Sequence, residues 1–283
     1  MEYWTNYKGH NVILQGHKNK YDSTIYTFDI ETTSYIILDG KQYSNIDYLK
    51  LSEKEQEKCE KNSTMYIWSF GINEKIYYGR TWIELEQFLD RIEKYGTARK
   101  KYCFVHNLAF EFQYLRNQFI FKEVFARKSR KVIKAILERY NFEFRCTYYM
   151  SNCSLEKLAD IYNLDVQKLV GNLDYNKIRH SNTPITKKEL QYCENDCLVV
   201  YKYILKELET YKTIKKLPLT STGHVRKDLK EKVHRNWNYL NKTRRSINQD
   251  GHVYSLMIDA FAGRIYSCIM DKSKRDNKRC SKL

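Results

Sequence analysis

The chain has 283 residues, long enough for one large domain or two modest ones with a real core. Fifty Lys and Arg against 34 Asp and Glu give a formal charge of +16, which favours a polyanionic partner, although part of that excess fits the Tyr- and Lys-rich, Pro-poor usage of an AT-rich genome. No Cys-x-x-Cys pair, signal-peptide core or apolar run of membrane-spanning length occurs, so zinc-ribbon, secreted and membrane-embedded classes are set aside and a cytoplasmic protein is expected.

Residues 1–21 are polar and Lys-rich and read as a loosely held lead-in. Residues 23–33 read as a strand, 35–38 as further extended chain, and Asp39-Gly40 as a turn. Residues 50–63 are highly charged and read as a helical excursion. Residues 65–72 and 75–78, on either side of Asn73-Glu74, read as a hairpin. Apolar residues at 82, 85, 88, 89 and 92 keep helical period, and Gly96 can end that helix.

A short apolar strand over 102–105 leads through His106-Asn107 into a helix that continues to about 119. Residues 123–148 mix apolar and basic groups, ending at period two. Ser154 reads as the cap of one helix. Thr186-Lys187-Lys188-Glu189 reads as the capping box of a longer one that runs to about 211. Strands followed by interleaved helices make an α/β domain over residues 22–211.

Within it, residues i and i+2 of a strand share a face, so Asp29 and Glu31 project together while Phe28 and Ile30 enter the core. Adjacent carboxylates repel, and a divalent cation is their natural partner. Taken alone, the pair reads equally well as a solvated edge. Glu111, Asp196 and Tyr192, one helical turn before Asp196, add to it. Four carboxylates from three separated elements suit a two-metal phosphoryl-transfer centre, with metals about 3.5–4 Å apart. Tyr192 would hold the attacking water, and Asn107 and Thr32 would bond a phosphate or sugar edge. Phe110 offers a stacking face worth about 1–3 kcal/mol per base. Plainer readings stand beside these: core tyrosine for Tyr192, structural donor for His106, core ring for Phe110, helix cap for Ser154. The basic run Arg127-Lys128-Ser129-Arg130-Lys131 is either a solvated face or, beside a single-strand cleft, a phosphate contact.

Asp29-Ile30-Glu31-Thr32-Thr33, Val105-His106-Asn107-Leu108-Ala109-Phe110-Glu111 and Tyr192-x-x-x-Asp196 resemble, in order and spacing, the Exo I, II and III motifs of family B DNA polymerases, most closely the protein-primed polymerases of phages and linear plasmids. Gly171-Asn172-Leu173-Asp174-Tyr175 and Ser154-Leu155-x-x-Leu158 resemble further segments of that group, and the resemblance covers residues 22–263. It implies a ribonuclease H-like 3′–5′ exonuclease with a mixed central sheet, flanking helices and a short helical C-terminal extension, in a bacterial host's cytoplasm if phage-encoded. Asp29, Glu31, Glu111 and Asp196 would hold two Mg2+ or Mn2+ ions, with Tyr192 orienting the water. Thr32, His106, Asn107, Phe110, Ser154 and Leu155 would grip the 3′ end of single-stranded DNA. The chain departs from the pattern at Glu111, where Asp is usual, and at Val170, where Lys is usual.

Residues 212–263 resemble the start of the polymerase region, but no palm motif follows, so the chain alone is not expected to polymerise DNA. Deleting one nucleotide from AT-rich codons for residues 263–268 yields Gly-Gly-Tyr-Thr-His-Ala, a continuation similar to the family's. The basic tail, residues 264–283, is therefore read as the product of a frameshifted or split reading frame, with a disordered tail that binds nucleic acid non-specifically as the alternative. A separately encoded palm and a terminal protein are the further partners such a fragment implies. The competing functions are a non-catalytic single-stranded DNA-binding module, or subunit of a split polymerase, and a nuclease acting on RNA.

Overall fold

The computed structural model describes residues 1–15, 20–96, 98–166, 174, 176–227 and 229. Its strands are β1 (Glu2–Tyr3), β2 (Leu14–Gln15), β3 (Tyr21–Leu38), β4 (Lys41–Tyr43), β5 (Glu60–Ile72), β6 (Lys75–Gly79), β7 (Lys100–Val105), β8 (Phe121–Ala126), β9 (Val132–Leu137) and β10 (Phe142–Cys146). Its helices are α1 (Asn45–Tyr48), α2 (Glu53–Glu57), α3 (Trp82–Tyr95), α4 (Leu108–Leu115), α5 (Thr147–Ser151), α6 (Leu155–Ile161) and α7 (Lys187–Tyr211). The described strands form one sheet in the order β1-β6-β5-β3-β7-β10-β9-β8, with β2 and β4 also pairing to β3. β3, β7 and β10 run parallel, β1 runs parallel to β6, and the remaining pairs are antiparallel. This is the mixed α/β architecture expected from the sequence.

Side-chain alternation divides the core between the two faces of the sheet. Tyr26, Phe28 and Ile30 of β3 enter an aromatic cluster with Trp68 and Phe70 of β5, Phe142 and Phe144 of β10, and Phe88 of α3. Ile25 of β3, with Tyr102 and Phe104 of β7, packs on the other face against Leu158 of α6 and Val199, Val200 and Ile204 of α7. Burying each such side chain contributes about 1.5–3 kcal/mol. The Asp39-Gly40 turn has φ of 47° and 76°, the left-handed pair that suits a two-residue hairpin, and joins Leu38 to its partner Lys41.

Two expectations are corrected. The segment read as a loose lead-in is part of the fold: β1 pairs with β6, and Trp4 and Tyr7 are buried, the Tyr7 ring 5.5 Å from that of Phe88. Two large aromatics three residues apart in a polar stretch were the available signal. The charged excursion over residues 50–63 is helical only in α2, and the chain returns to the sheet at Glu60. The first residues of β5 are exposed and pair with the outer half of β3, so no apolar alternation announces them. No helix among the described residues is long and apolar enough to cross a membrane. Residues 231–283, including most of the expected polymerase start and the whole basic tail, lie outside the described residues, as do most of residues 171–175 and Val170.

Lys101 of β7 is fully buried on the aromatic face. Its Nζ donates to Tyr140 O at 3.2 Å and lies 5.2 Å from the centroid of the Phe142 ring. Burial holds its pKa below the usual lysine value, against the opposing charges of Glu93 and Asp22. Because the unfolded chain binds this proton more tightly, the Lys101 contribution to stability is least favourable below the folded pKa and rises as pH climbs through it toward the ordinary lysine value. Lys101→Met has no such dependence. We expect its advantage over the parent in urea unfolding to shrink from about pH 7 to about pH 10; a constant difference would show that the ammonium is not desolvated.

Candidate functional site

The site begins with the face of β3 that α7 covers. Asp29 and Glu31 lie on it, and α7 brings Asp196 down to them, so that one carboxylate oxygen from each lies within 4.8 Å of the other two. The first turn of α7 fixes this placement. Thr186 N donates to Glu189 Oε2 at 2.7 Å and Glu189 N donates to Thr186 Oγ1 at 3.2 Å. Glu189 Oε1 accepts from Arg179 Nε at 2.8 Å, and Arg179 N donates to Thr33 Oγ1 at 3.2 Å. Burial raises the Glu189 pKa, but the Thr186 and Arg179 hydrogen bonds and the Arg179 charge together hold it below the usual range. The helix start is thus tied to β3 just beyond Glu31, and two turns later the same helix face presents Asp196.

Glu111 arrives from another direction. Asn107 follows the end of β7 in the left-handed region, with φ 65° and ψ 45°, and turns the chain directly into α4, whose first turn carries Glu111. Glu111 is buried, and its Oε2 has no hydrogen-bond partner among the described residues. Burial first, and the charge of Glu31 second, push its carboxyl well above the usual range. Hard oxygen donors from four acids, one of them an orphaned buried atom, fit a divalent cation of the Mg2+ or Mn2+ kind. Among the described residues, the close three-acid cluster comprises Asp29, Glu31 and Asp196, and Glu111 stands outside it.

A cleft of about 790 Å³ contains Asp29, Glu111 and Asp196 in its walls together with His106, Asn107, Ser154 and Leu155. It lies at the carboxyl ends of the parallel strands β7 and β10, where open α/β sheets collect ligands. Val105 and Cys146 pair in register, and the next residues meet through His106 Nδ1 and Thr147 Oγ1 at 3.0 Å. Ser154 caps α6 by accepting from Lys157 N at 3.4 Å, and Leu155 also belongs to the core beneath α7.

The other expected residues sit on the elements that carry the acids, Thr32 on β3, Phe110 on α4 and Tyr192 on α7. Beyond Glu31 the register of β3 against β5 slips, and Thr32, opposite Met65, does not line the cleft. Phe110 is 40% exposed with its ring 5.4 Å from that of Tyr114. Tyr192 is buried among Tyr66, Ile67 and Cys193. The cleft also contains Tyr148, Tyr149 and Asn152, from α5 and its C-terminal cap, which motif spacing did not single out. The signal available was two adjacent aromatics following a strand that ends beside His106.

Sequence comparison finds no matching protein-family model and no matching curated protein. Among solved structures, the chain is similar to Phi29 DNA polymerase complexed with single-stranded DNA, at 18% identity over 66% of this chain and 32% of the polymerase, with a TM-score of 0.45. Phi29 DNA polymerase in an orthorhombic crystal form is similar at 16% identity over 66% and 31%, with a TM-score of 0.45. The chain spans about a third of the length of the polymerases it matches.

The left-handed turn at Asn107 makes a structural prediction that is independent of activity. Asn107→Gly should stay within about 1 kcal/mol of the parent in unfolding free energy, whereas Asn107→Val should cost about 1–2 kcal/mol more. Equal stabilities of the two variants in urea would contradict this entry into α4.

Proposed function

We propose that the chain is a divalent-metal-dependent 3′–5′ exonuclease acting on the 3′ end of single-stranded DNA, on a ribonuclease H-like fold, and that it is the proofreading portion of a protein-primed family B DNA polymerase. The convergence of Asp29, Glu31 and Asp196, with the buried and unpartnered Glu111 Oε2 in the same cleft, supports this above all. Those four residues are the proposed ligands of two Mg2+ or Mn2+ ions. Such a pair, when bound, activates water and offsets the charge of the leaving 3′ oxygen.

The remaining work falls to the chain's own groups. Tyr192, one helical turn from Asp196, is assigned the positioning of the attacking water. His106, whose ring Thr147 holds through Nδ1, joins Asn107 and Ser154 in bonding the terminal sugar and phosphate. Thr32, Leu155 and Phe110 are assigned the flanks of the terminal nucleotides, with the half-exposed Phe110 ring as the stacking face.

A 5′-labelled single-stranded oligodeoxynucleotide tests the proposal. Stepwise shortening is expected with Mg2+ or Mn2+ and none with chelator. Asp29→Ala/Glu31→Ala should slow it by more than about 100-fold, beyond what loss of an outer-shell partner costs a metal site. Tight binding without shortening in either metal would overturn the exonuclease in favour of a non-catalytic module.

A further inference from the structure

The hairpin formed by β8 and β9 ends in the run Arg127-Lys128-Ser129-Arg130-Lys131. Two backbone hydrogen bonds close the tip, Arg127 N to Lys131 O and Lys131 N to Lys128 O, both at 3.0 Å, and Arg130 takes the left-handed φ of 58°. Arg127, Arg130 and Lys131 line the same cleft as Asp29, Glu111 and Asp196. They are exposed, and among the described residues none of them forms an ion pair. The fold pairs comparable cations with acids: Arg139 with Glu86 and Asp90, Arg145 with Glu143, Arg179 with Glu189, and Lys134 of the same hairpin with Glu123 at 2.6 Å.

Arg127, Arg130 and Lys131 thus leave three positive charges without an acid partner, among the described residues, at one wall of the cleft. A polyanion lying along the cleft would meet that charge with its phosphates. Tyr148, 39% exposed, and Tyr149 line the same cleft, and Arg127 is near enough to Tyr149 for its charge to act on the phenol. Cations interleaved with aromatic rings are the usual equipment of a sequence-tolerant single-strand track.

We propose that the hairpin tip is a strand clamp, in which Arg127, Arg130 and Lys131 hold phosphates internal to the 3′-terminal nucleotide and the Tyr148 and Tyr149 rings take the intervening bases. The clamp rests on the proposed function only in taking single-stranded nucleic acid as the occupant of the cleft. It makes affinity depend on strand length and on salt, not on base identity.

The test is the binding of labelled oligothymidylates of about 4 and about 12 nucleotides, followed by anisotropy in chelator, where turnover plays no part. Each cation that neutralises a single-strand phosphate contributes about 0.7 to the slope of log affinity against log salt, so Arg127→Gln/Arg130→Gln/Lys131→Gln should flatten it by about 2. Raising salt from about 50 to about 200 mM should then weaken the parent about 20-fold more than the variant. The variant should also lose the parent's preference for the longer strand. Arg127→Lys/Arg130→Lys keeps the charge and should keep the parent's slope. An unchanged slope in the Gln variant, or an equal loss in the Lys variant, would overturn the clamp. Failure of the shortening assay would count against the exonuclease alone, because this measurement does not depend on hydrolysis.

Discussion

Everything at the cleft depends on the alternation of side chains along β3. Its even-numbered residues Tyr26, Phe28 and Ile30 belong to the aromatic core, which fixes the strand's rotation and depth. The odd-numbered Asp29 and Glu31 are then obliged to meet α7 on the other face. A one-residue slip in register would place both carboxylates among Phe88, Phe142 and Phe144, where isolated charge is prohibitively expensive. The aromatic cluster is in this sense the instrument that aims the acids.

Aiming them together carries an electrostatic cost. Asp29, Glu31 and Asp196 crowd within a few ångströms of one another, and Glu111 is buried with an oxygen that nothing among the described residues satisfies. The fold sustains this by anchoring its elements elsewhere. Arg179 and Glu189 lock the entry of α7 to Thr33, and the Thr186 capping box closes the same turn. The charge crowded at the cleft is thus balanced by anchors elsewhere, and the helix that brings Asp196 is held at its start by an ion pair of no net charge.

The sequence disclosed the parts of this arrangement that obey a period. Asp29-x-Glu31 on a strand, the helical spacing of α3, and the capping box that opens α7 are local patterns, and each found its element. What escaped notice was set by distant partners. Trp4 and Tyr7 are ordinary in a polar stretch until α3 and β6 supply walls for them. The start of β5 has no apolar rhythm because it pairs with the outer part of β3 with little to bury. Tyr148 and Tyr149 reach the cleft only because β10 runs parallel to β7 and ends level with it. Tyr192 answers to both, a helical neighbour of Asp196 by spacing whose packing among Tyr66 and Ile67 only the fold supplies.

The pairing of β1 with β6 bears on how the chain reaches this state. Glu2 and Tyr3 lie opposite Tyr77 and Tyr78, and Arg91 of α3 stacks over the Trp4 ring and donates to Thr5 O. Glu2 to Thr5 therefore lack their partners until α3 has been synthesised, and they must remain solvated in the meantime. Such closure across sequence is slow compared with helix formation. The β5–β6 hairpin and α3, all local in sequence, can assemble beforehand and offer a finished edge. A segment that precedes the sheet in sequence is in this way placed among the last, as a strap drawn across an edge already built.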